Sequence, residues 1–259
     1  MDKIHIVTDS GCDLPAALAE SLGIEVISLR RSGTEPGQIT PVRYLGSFMA
    51  ARTAEYTHII CVTLGSQLSQ CYDNACVARG LFYEENAGAV TVEIINSRSL
   101  SIAYGDLLVE AARMRDQGAG FGEICAMLKT ELPRRESIFI AYDPETILKN
   151  GDLRAEAVTA GLTIGLRPIF RSRSLKTEMI HKARPAQATG DIAGLVEEKC
   201  SPEPGHISVF AGDVPEQDVQ AIVSELKKRV GGEIELVPIG ETAASILGNA
   251  VLGAVFRGR

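Results

Sequence analysis

Three short segments of this chain place small hydroxyl and amide side chains directly after apolar runs: "IVTDS" at residues 6–10, "CVTLGSQLSQ" at 61–70 and "IINSRSLS" at 94–101. Hydroxyls and amides donate and accept hydrogen bonds, but they do nucleophilic or acid–base work only beside a positioned base. Two readings are open for each residue. Ser, Thr, Asp and Asn are the usual caps of helices that follow strands. A row of such ends after successive strands would also form one polar edge of a cleft. The segment "LKNGDLR" at 148–154 adds Lys149 and Arg154. A guanidinium matches a carboxylate by a two-point fork; the competing reading is an exposed ion pair with Asp152 or Glu156. Hydroxyls, backbone N–H groups and one or two cations beside an apolar interior suit an anionic head group with an apolar body.

Other chemistries find less support. The six cysteines, at 12, 61, 71, 76, 125 and 200, form no CxxC pair, and most fall within apolar patterns, as small buried hydrophobes do. A reducing cytoplasm fits them. The histidines at 5, 58, 181 and 206 lack ligand spacing, so no metal site is expected. "GAGFG" at 118–122 follows a helical stretch instead of a strand, which fails the context test for dinucleotide binding. Neither a GxSxG elbow nor a P-loop lysine motif occurs, and Ser66 and Ser69 have no base nearby in sequence. No cofactor is expected.

The elements that would carry these polar ends alternate regularly. Ile4–Thr8, Ile24–Leu29, His58–Leu64, Ala89–Ile95 and Ser137–Ala141 read as strands. Between them, Leu14–Leu22 reads as a helix with Asp13 as N-cap, and Val42–Ala54 as a second helix. Apolar residues at helical spacing follow, from Leu68 to Phe82, Tyr104 to Met114 and Phe121 to Leu132; Ser32–Pro41 reads as a loop. This order predicts a mostly parallel, doubly wound sheet, whose ligands bind outside the carboxyl ends of the strands. Beyond about residue 165, "LRPIFRS" and "LKTEMIHKA" read as strands, followed by a helix from Ile192, the strand "HISVFAG", a helix over Val219–Val230 and the strand "EIELVPIG". The expected architecture is two α/β domains: residues 1–160 around the doubly wound sheet, and residues 161–259 as a smaller mixed-sheet domain.

The 259 residues suffice for two packed α/β units. With 45% hydrophobic and 23% charged residues the composition is that of a soluble globular protein. A net charge of −7 argues against nucleic acid as partner, although Arg167–Arg184 is locally basic, a run read here as a solvated face. No apolar run is long enough for a transmembrane segment, and the first residues lack the apolar core of a signal peptide.

The polar segments, taken in order, resemble the DegV family, bacterial proteins similar to fatty-acid carriers. "IVTDSGCDLP" resembles the family's opening, "GSQLSQCY" its serine–glycine loop SSGLSGTY, and "NSRSLSIAYG" its second loop DSxxxSxGxG. "LKNGDLR" resembles LKKGGRI, "IGLRPIF" resembles NIKPIL, "HKAR" resembles EKVR, and "IGETAASILGNAVLGAVF" at 239–256 resembles the terminal glycine segment. The resemblance implies two α/β domains and a bound fatty acid, with its chain in an apolar tunnel and its carboxylate at a Ser/Thr/Arg site. It further implies a fatty-acid kinase as partner and no catalysis by the carrier itself. Carried over, the head-group residues are Thr63 or Ser66, Ser97 and Arg154, the last after a one-position slip. Ile246 falls where the family has a histidine, Asn96 where it has an aspartate, and Gly65, Gln67, Gln70 and Cys71 replace residues of the first loop. The scaffold is expected to be intact and carboxylate recognition weakened, with a tunnel reaching toward Ala243–Val251. A binder of another small amphiphile, and a hydrolase using Ser66, are the alternatives.

Overall fold

The computed structural model describes residues 2–32, 35–86, 88, 90–150, 165–202 and 205–259. They form two compact α/β units, Met1–Pro133 and Arg134–Arg259.

In the first unit the elements follow in the order β1 (Ile4–Asp9), α1 (Ala16–Ser21), β2 (Ile24–Ile27), β3 (Arg30–Ser32), β4 (Glu35–Gln38), α2 (Pro41–Thr53), β5 (His58–Thr63), α3 (Cys71–Asn86), β6 (Thr91–Asn96), α4 (Ile102–Asp116) and α5 (Phe121–Glu131). The strands β2-β1-β5-β6 make a sheet in which every pair is parallel. Side chains alternate between the faces of a strand, and helices cover both faces. Glu25, which pairs with Val7, accepts from Ser47 of α2, whereas His58, which pairs with Ile4, stacks on Phe121 of α5. Residues 4 and 7 face opposite ways, so the sheet is doubly wound, as expected. Ile6, Val7, Ile59, Ile60, Cys61 and Val62 are fully buried at its centre.

Two local expectations need correction. Residues 32–41 are not all loop, because β3 and β4 pair antiparallel as a hairpin. Asp13 does not cap α1. It sits in the left-handed region, with φ 53°, at the end of a 3₁₀ turn over Ser10–Cys12, and Pro15 occupies the N-cap. The side chain that caps this turn is Asp9, through the Gly11 N–H.

The second unit runs β7 (Arg135–Ala141), α6 (Glu145–Asn150), β8 (Arg167–Arg173), β9 (Lys176–Ala183), α7 (Ala188–Lys199), β10 (His206–Ala211), α8 (Glu216–Arg229), β11 (Glu233–Pro238), α9 (Glu241–Leu247) and β12 (Val251–Arg257). Its sheet has the order β11-β10-β12-β7-β8-β9 and is mixed: β10 and β11 are parallel and the other pairs antiparallel. Ile138, Ile140, Ile169, Val209, Leu252 and Ala254 pack with Ile192 and Val196 of α7 and Ile222 and Leu226 of α8.

The chain divides at Pro133/Arg134, well before the expected 160/161, because β7 pairs with β12 and β8. The second unit's sheet is mixed, as expected, and has six strands to the four of the first unit's parallel sheet. The expected run of small residues at 241–256 resolves into α9 and β12, and β12 lies at the middle of the sheet. A Cβ at Gly253 of β12 would collide with Phe139 and the Ile138 carbonyl, so glycine there lets Phe139 and Phe210 close over the strand at a 6.1 Å centroid separation.

Candidate functional site: a hydroxyl rim on the first sheet

Because β1, β5 and β6 are adjacent and parallel, their polar carboxyl ends share one edge of the sheet. The three connections there are tied to one another. Ser97 N–H donates to the Thr63 carbonyl at 3.1 Å, Gly65 N–H to the Ser99 carbonyl at 3.1 Å, and Ser101 N–H to the Gly11 carbonyl at 2.9 Å. The Ser101 hydroxyl also donates to Asp13.

Asp9 is the hub. It is fully buried, and its Oδ1 accepts from Gly11 N–H at 3.0 Å and from the Tyr104 hydroxyl at 2.7 Å. Oδ2 accepts from Leu64 N–H at 2.6 Å. One carboxylate thus joins its own turn, the connection after β5 and the first turn of α4. Gly11 is needed for this closeness, since a Cβ there would meet Asp9 Oδ1 at 2.9 Å and the Tyr104 hydroxyl at 3.0 Å. Burial raises the Asp9 pKa, with the bonds to Leu64, Tyr104 and Gly11 opposing the shift. Burial likewise raises the Tyr104 phenol well above its ordinary value.

Of the expected site residues, Thr63, Ser66 and Ser97 come together on this rim. Thr63 closes β5 and is fully buried, and its Oγ1 has no partner among the described residues. Thr8 Oγ1 shares that condition. Ser66 is half-buried; its N–H donates to Asn96 Oδ1 at 3.2 Å, and its Oγ accepts from Asn96 Nδ2 at 2.7 Å. Ser97 is buried and occupied within its own turn, accepting from Ser99 N–H at 3.1 Å and donating to the Ser99 carbonyl at 3.3 Å. Ser10 accepts from Leu29 N–H at 3.0 Å, on the β2 side of the same edge. Arg154 lies outside the described residues. Ile246 is half-buried on α9, in the second unit. Lys149 makes an exposed i,i+4 pair with Glu145 at 3.3 Å, and the other expected partners, Asp152 and Glu156, lie outside the described residues. Such pairs contribute little.

The hub Asp9 and the amide Asn96 were not among the expected site residues. The available signal was their place as the last residue of β1 and β6, where a side chain both ends the strand and reaches the neighbouring connection.

Among the described residues the rim holds hydrogen-bonding groups, with no base bonded to Ser66 or Ser97. Ser66 is bonded to an amide, which is not a base. Burial pushes the Cys12 thiol up to about 12 and raises those of Cys61 and Cys71, so these thiols stay protonated at neutral pH. All six cysteines are unpaired. Among the described residues, no helix is long and apolar enough to cross a membrane.

The chain is similar to several known proteins. A DegV domain-containing protein of Clostridium acetobutylicum is 27% identical over 210 residues, covering 71% of this chain and 73% of its own. The crystal structure of a DegV family protein from Corynebacterium glutamicum superposes with a TM-score of 0.84 at 21% identity, over 100% of this chain and 98% of that one. A structure from Eubacterium ventriosum, described as a stearic acid-binding protein, gives a TM-score of 0.84 at 16% identity, over 99% and 98% of the two chains. Identities this low establish a shared fold. A family model described as "Uncharacterised protein, DegV family" matches residues 29–259. The chain with the Asp9-centred rim is therefore a member of the DegV family.

Proposed function

We propose that this chain is a lipid-binding protein that holds a fatty acid with its carboxylate at the rim of the first unit. The observation that carries the reading is the pair of hydroxyls on adjacent rim positions, Thr63 and Ser66, neither of which has an acceptor for its proton among the described residues. Family membership supports it, as does the stearic acid-binding description of the Eubacterium ventriosum protein. A carboxylate leaving water needs its lone pairs satisfied, or it binds as the neutral acid. In this reading Thr63, Ser66 and Arg154 supply the donors, and Ser97, whose proton goes to the Ser99 carbonyl, holds the turn beside them. The tail lies in an apolar tunnel, where each buried CH₂ contributes about 0.8 kcal/mol. The protein acts in the cytoplasm as a carrier without catalysing a reaction, and presents the carboxylate to a partner such as a fatty-acid kinase.

Extraction of the folded protein with organic solvent, followed by mass spectrometry, should release a long-chain fatty acid. Absence of any lipid, together with no binding of added stearate, would sink the proposal.

Ile246 carries a second expectation. An isoleucine offers no hydrogen bond where a histidine would, so affinity rests mostly on the tail. Stearate and methyl stearate should then bind with affinities well within about 100-fold of each other, the ratio that one strong charge-assisted bond would produce. Ile246→His should improve binding of the acid by about tenfold, the lower end of that range. An acid preference of 100-fold in the native chain, or no gain from Ile246→His, overturns this account of position 246.

A further inference from the structure

We infer that Asn96 fixes Ser66 as a hydrogen-bond donor toward the ligand, so that the rim selects head groups presenting an acceptor oxygen over those carrying only donors. The inference rests on the fatty-acid reading above and adds a specificity-determining pair to it.

The geometry leaves one assignment of the amide. Asn96 Oδ1 faces two backbone N–H groups, Arg98 at 2.9 Å and Ser66 at 3.2 Å. Backbone N–H groups only donate, so the atom between them is the carbonyl oxygen. The other amide atom, 2.7 Å from Ser66 Oγ, is then the NH₂, which cannot accept. Ser66 Oγ must therefore accept this bond. Its single proton remains unspent, and no acceptor for it exists among the described residues. Neighbouring hydroxyls differ. Ser97 donates to the Ser99 carbonyl, Ser69 to the Gly37 carbonyl and Ser101 to Asp13. Ser66 is also half-buried, where Thr63 is fully enclosed. A ligand oxygen therefore reaches Ser66 more readily than Thr63.

An aspartate at position 96 would reverse the polarity. Its carboxylate could still accept from both backbone N–H groups, so the connection keeps its ties. Its second oxygen could only accept, and would take the Ser66 proton. Asn96→Asp should thus silence Ser66 as a donor while leaving the hydroxyl in place.

The test titrates stearate, methyl stearate and octadecylammonium into the native chain, Ser66→Ala, Asn96→Asp and the double variant. The native chain should bind octadecylammonium at least tenfold more weakly than stearate, the factor expected when one hydrogen bond to a charged group is replaced by opposed donors. Ser66→Ala should weaken stearate about tenfold on the same grounds. In the Asn96→Asp background the same truncation should cost nothing further, because the donor is already lost. A purely structural role for Asn96 predicts instead that the two effects multiply and that the thermal midpoint falls. Multiplying effects, or octadecylammonium binding as tightly as stearate, overturn the inference. The ammonium comparison uses the native chain, so it stands even if a variant fails to fold. A native chain that binds stearate while both single variants match it removes this inference alone. A native chain that binds none of the three ligands removes the fatty-acid reading as well.

Discussion

Asp9→Ala should lower the stability of the first unit by about 3 kcal/mol, near the upper end for a single substitution. Three donors lose their acceptor at once: the N–H groups of Gly11 and Leu64 and the Tyr104 hydroxyl. Each buried donor left unsatisfied costs about 1–3 kcal/mol. Relief of the carboxylate's own desolvation, and water entering the vacated space, reduce the sum. Tyr104→Phe should cost only about 1 kcal/mol, since Asp9 keeps both backbone donors. In the Asp9→Ala background it should cost almost nothing. Burial raises the Asp9 pKa, so the native state holds this proton to higher pH than the unfolded chain does. The stability contributed by the proton is complete below the unfolded carboxylate value, roughly 4, and is lost as pH rises through the raised folded value. The stability gap between native and Asp9→Ala should therefore narrow as pH rises, because the variant lacks the group. Urea unfolding of both chains across that range measures it. A loss under about 1 kcal/mol, the worth of a single net hydrogen bond, or a gap that widens with pH, would show that Asp9 does not hold the rim together.

The legible part of this fold was its periodicity. Apolar runs such as Ile4–Val7 and His58–Val62 have the length of buried parallel strands, and the polar residues behind them mark where the strands must end. That was enough to place three polar ends on one edge, since alternation of strand and helix imposes parallel pairing. Pairing partners between distant segments are a different matter. Nothing in "RESIFIA" distinguishes a strand that continues the first sheet from one that opens the second. Its role is set by Gly253, 114 residues beyond Phe139 to which it pairs, and by the aromatic rings that close over that glycine. β12 itself was hidden because Gly253 and Ala254 in "VLGAVF" dilute the strand signal of the residues around them, which burial at the sheet centre overrides.

Within the site, residue type located Thr63, Ser66 and Ser97 but could not rank them. Their ranking depends on where each proton goes. Ser97 is turned inward by the turn it forms with Ser99, and Ser66 is turned outward by an amide thirty residues away in sequence. The same holds for Asp9. An acidic residue after a strand reads as a cap, and it does cap the Ser10–Cys12 turn, but its other bonds reach residues 64 and 104. Local chemistry is visible along the chain, whereas the long-range acceptor is visible only once the strands are paired. The basic run Arg167–Arg184 shows the converse. It looks like a solvated face, yet Arg167 lies over the Tyr142 ring at 4.2 Å and pairs with Asp218 at 3.4 Å.

Arg171 and Arg173, from the same run, give the largest effect expected in the second unit. Glu136 of β7 is 2% exposed. It sits directly across from Arg173 of β8, with Arg171 on the diagonal two residues away. Both guanidinium groups close on it, Arg171 Nε at 2.7 Å to Oε2 and Arg173 Nη1 at 3.0 Å to Oε1. Position 258 approaches so closely that only glycine leaves room for this side chain. Breaking a buried pair from one side costs about 3–5 kcal/mol, because the remaining charge loses its partner in a poor solvent. The two arginine side chains are partly exposed, at 27% and 40%, and can turn to water once released. Glu136→Ala should therefore fall at the lower end, about 3 kcal/mol, and Glu136→Gln at roughly half of that, since an amide oxygen still accepts one neutral bond. Arg173→Ala should cost less than Glu136→Ala, because Arg171 still neutralises the buried carboxylate. Adding salt should change these differences little, as a carboxylate this enclosed is poorly screened. Chemical unfolding of the four chains at low and high salt decides the matter. If Glu136→Ala costs under about 1 kcal/mol, or if its cost vanishes in salt, the cluster is an ordinary surface ion pair and the β7–β8 pairing rests on the aromatic contact of Phe139 with Phe170 instead.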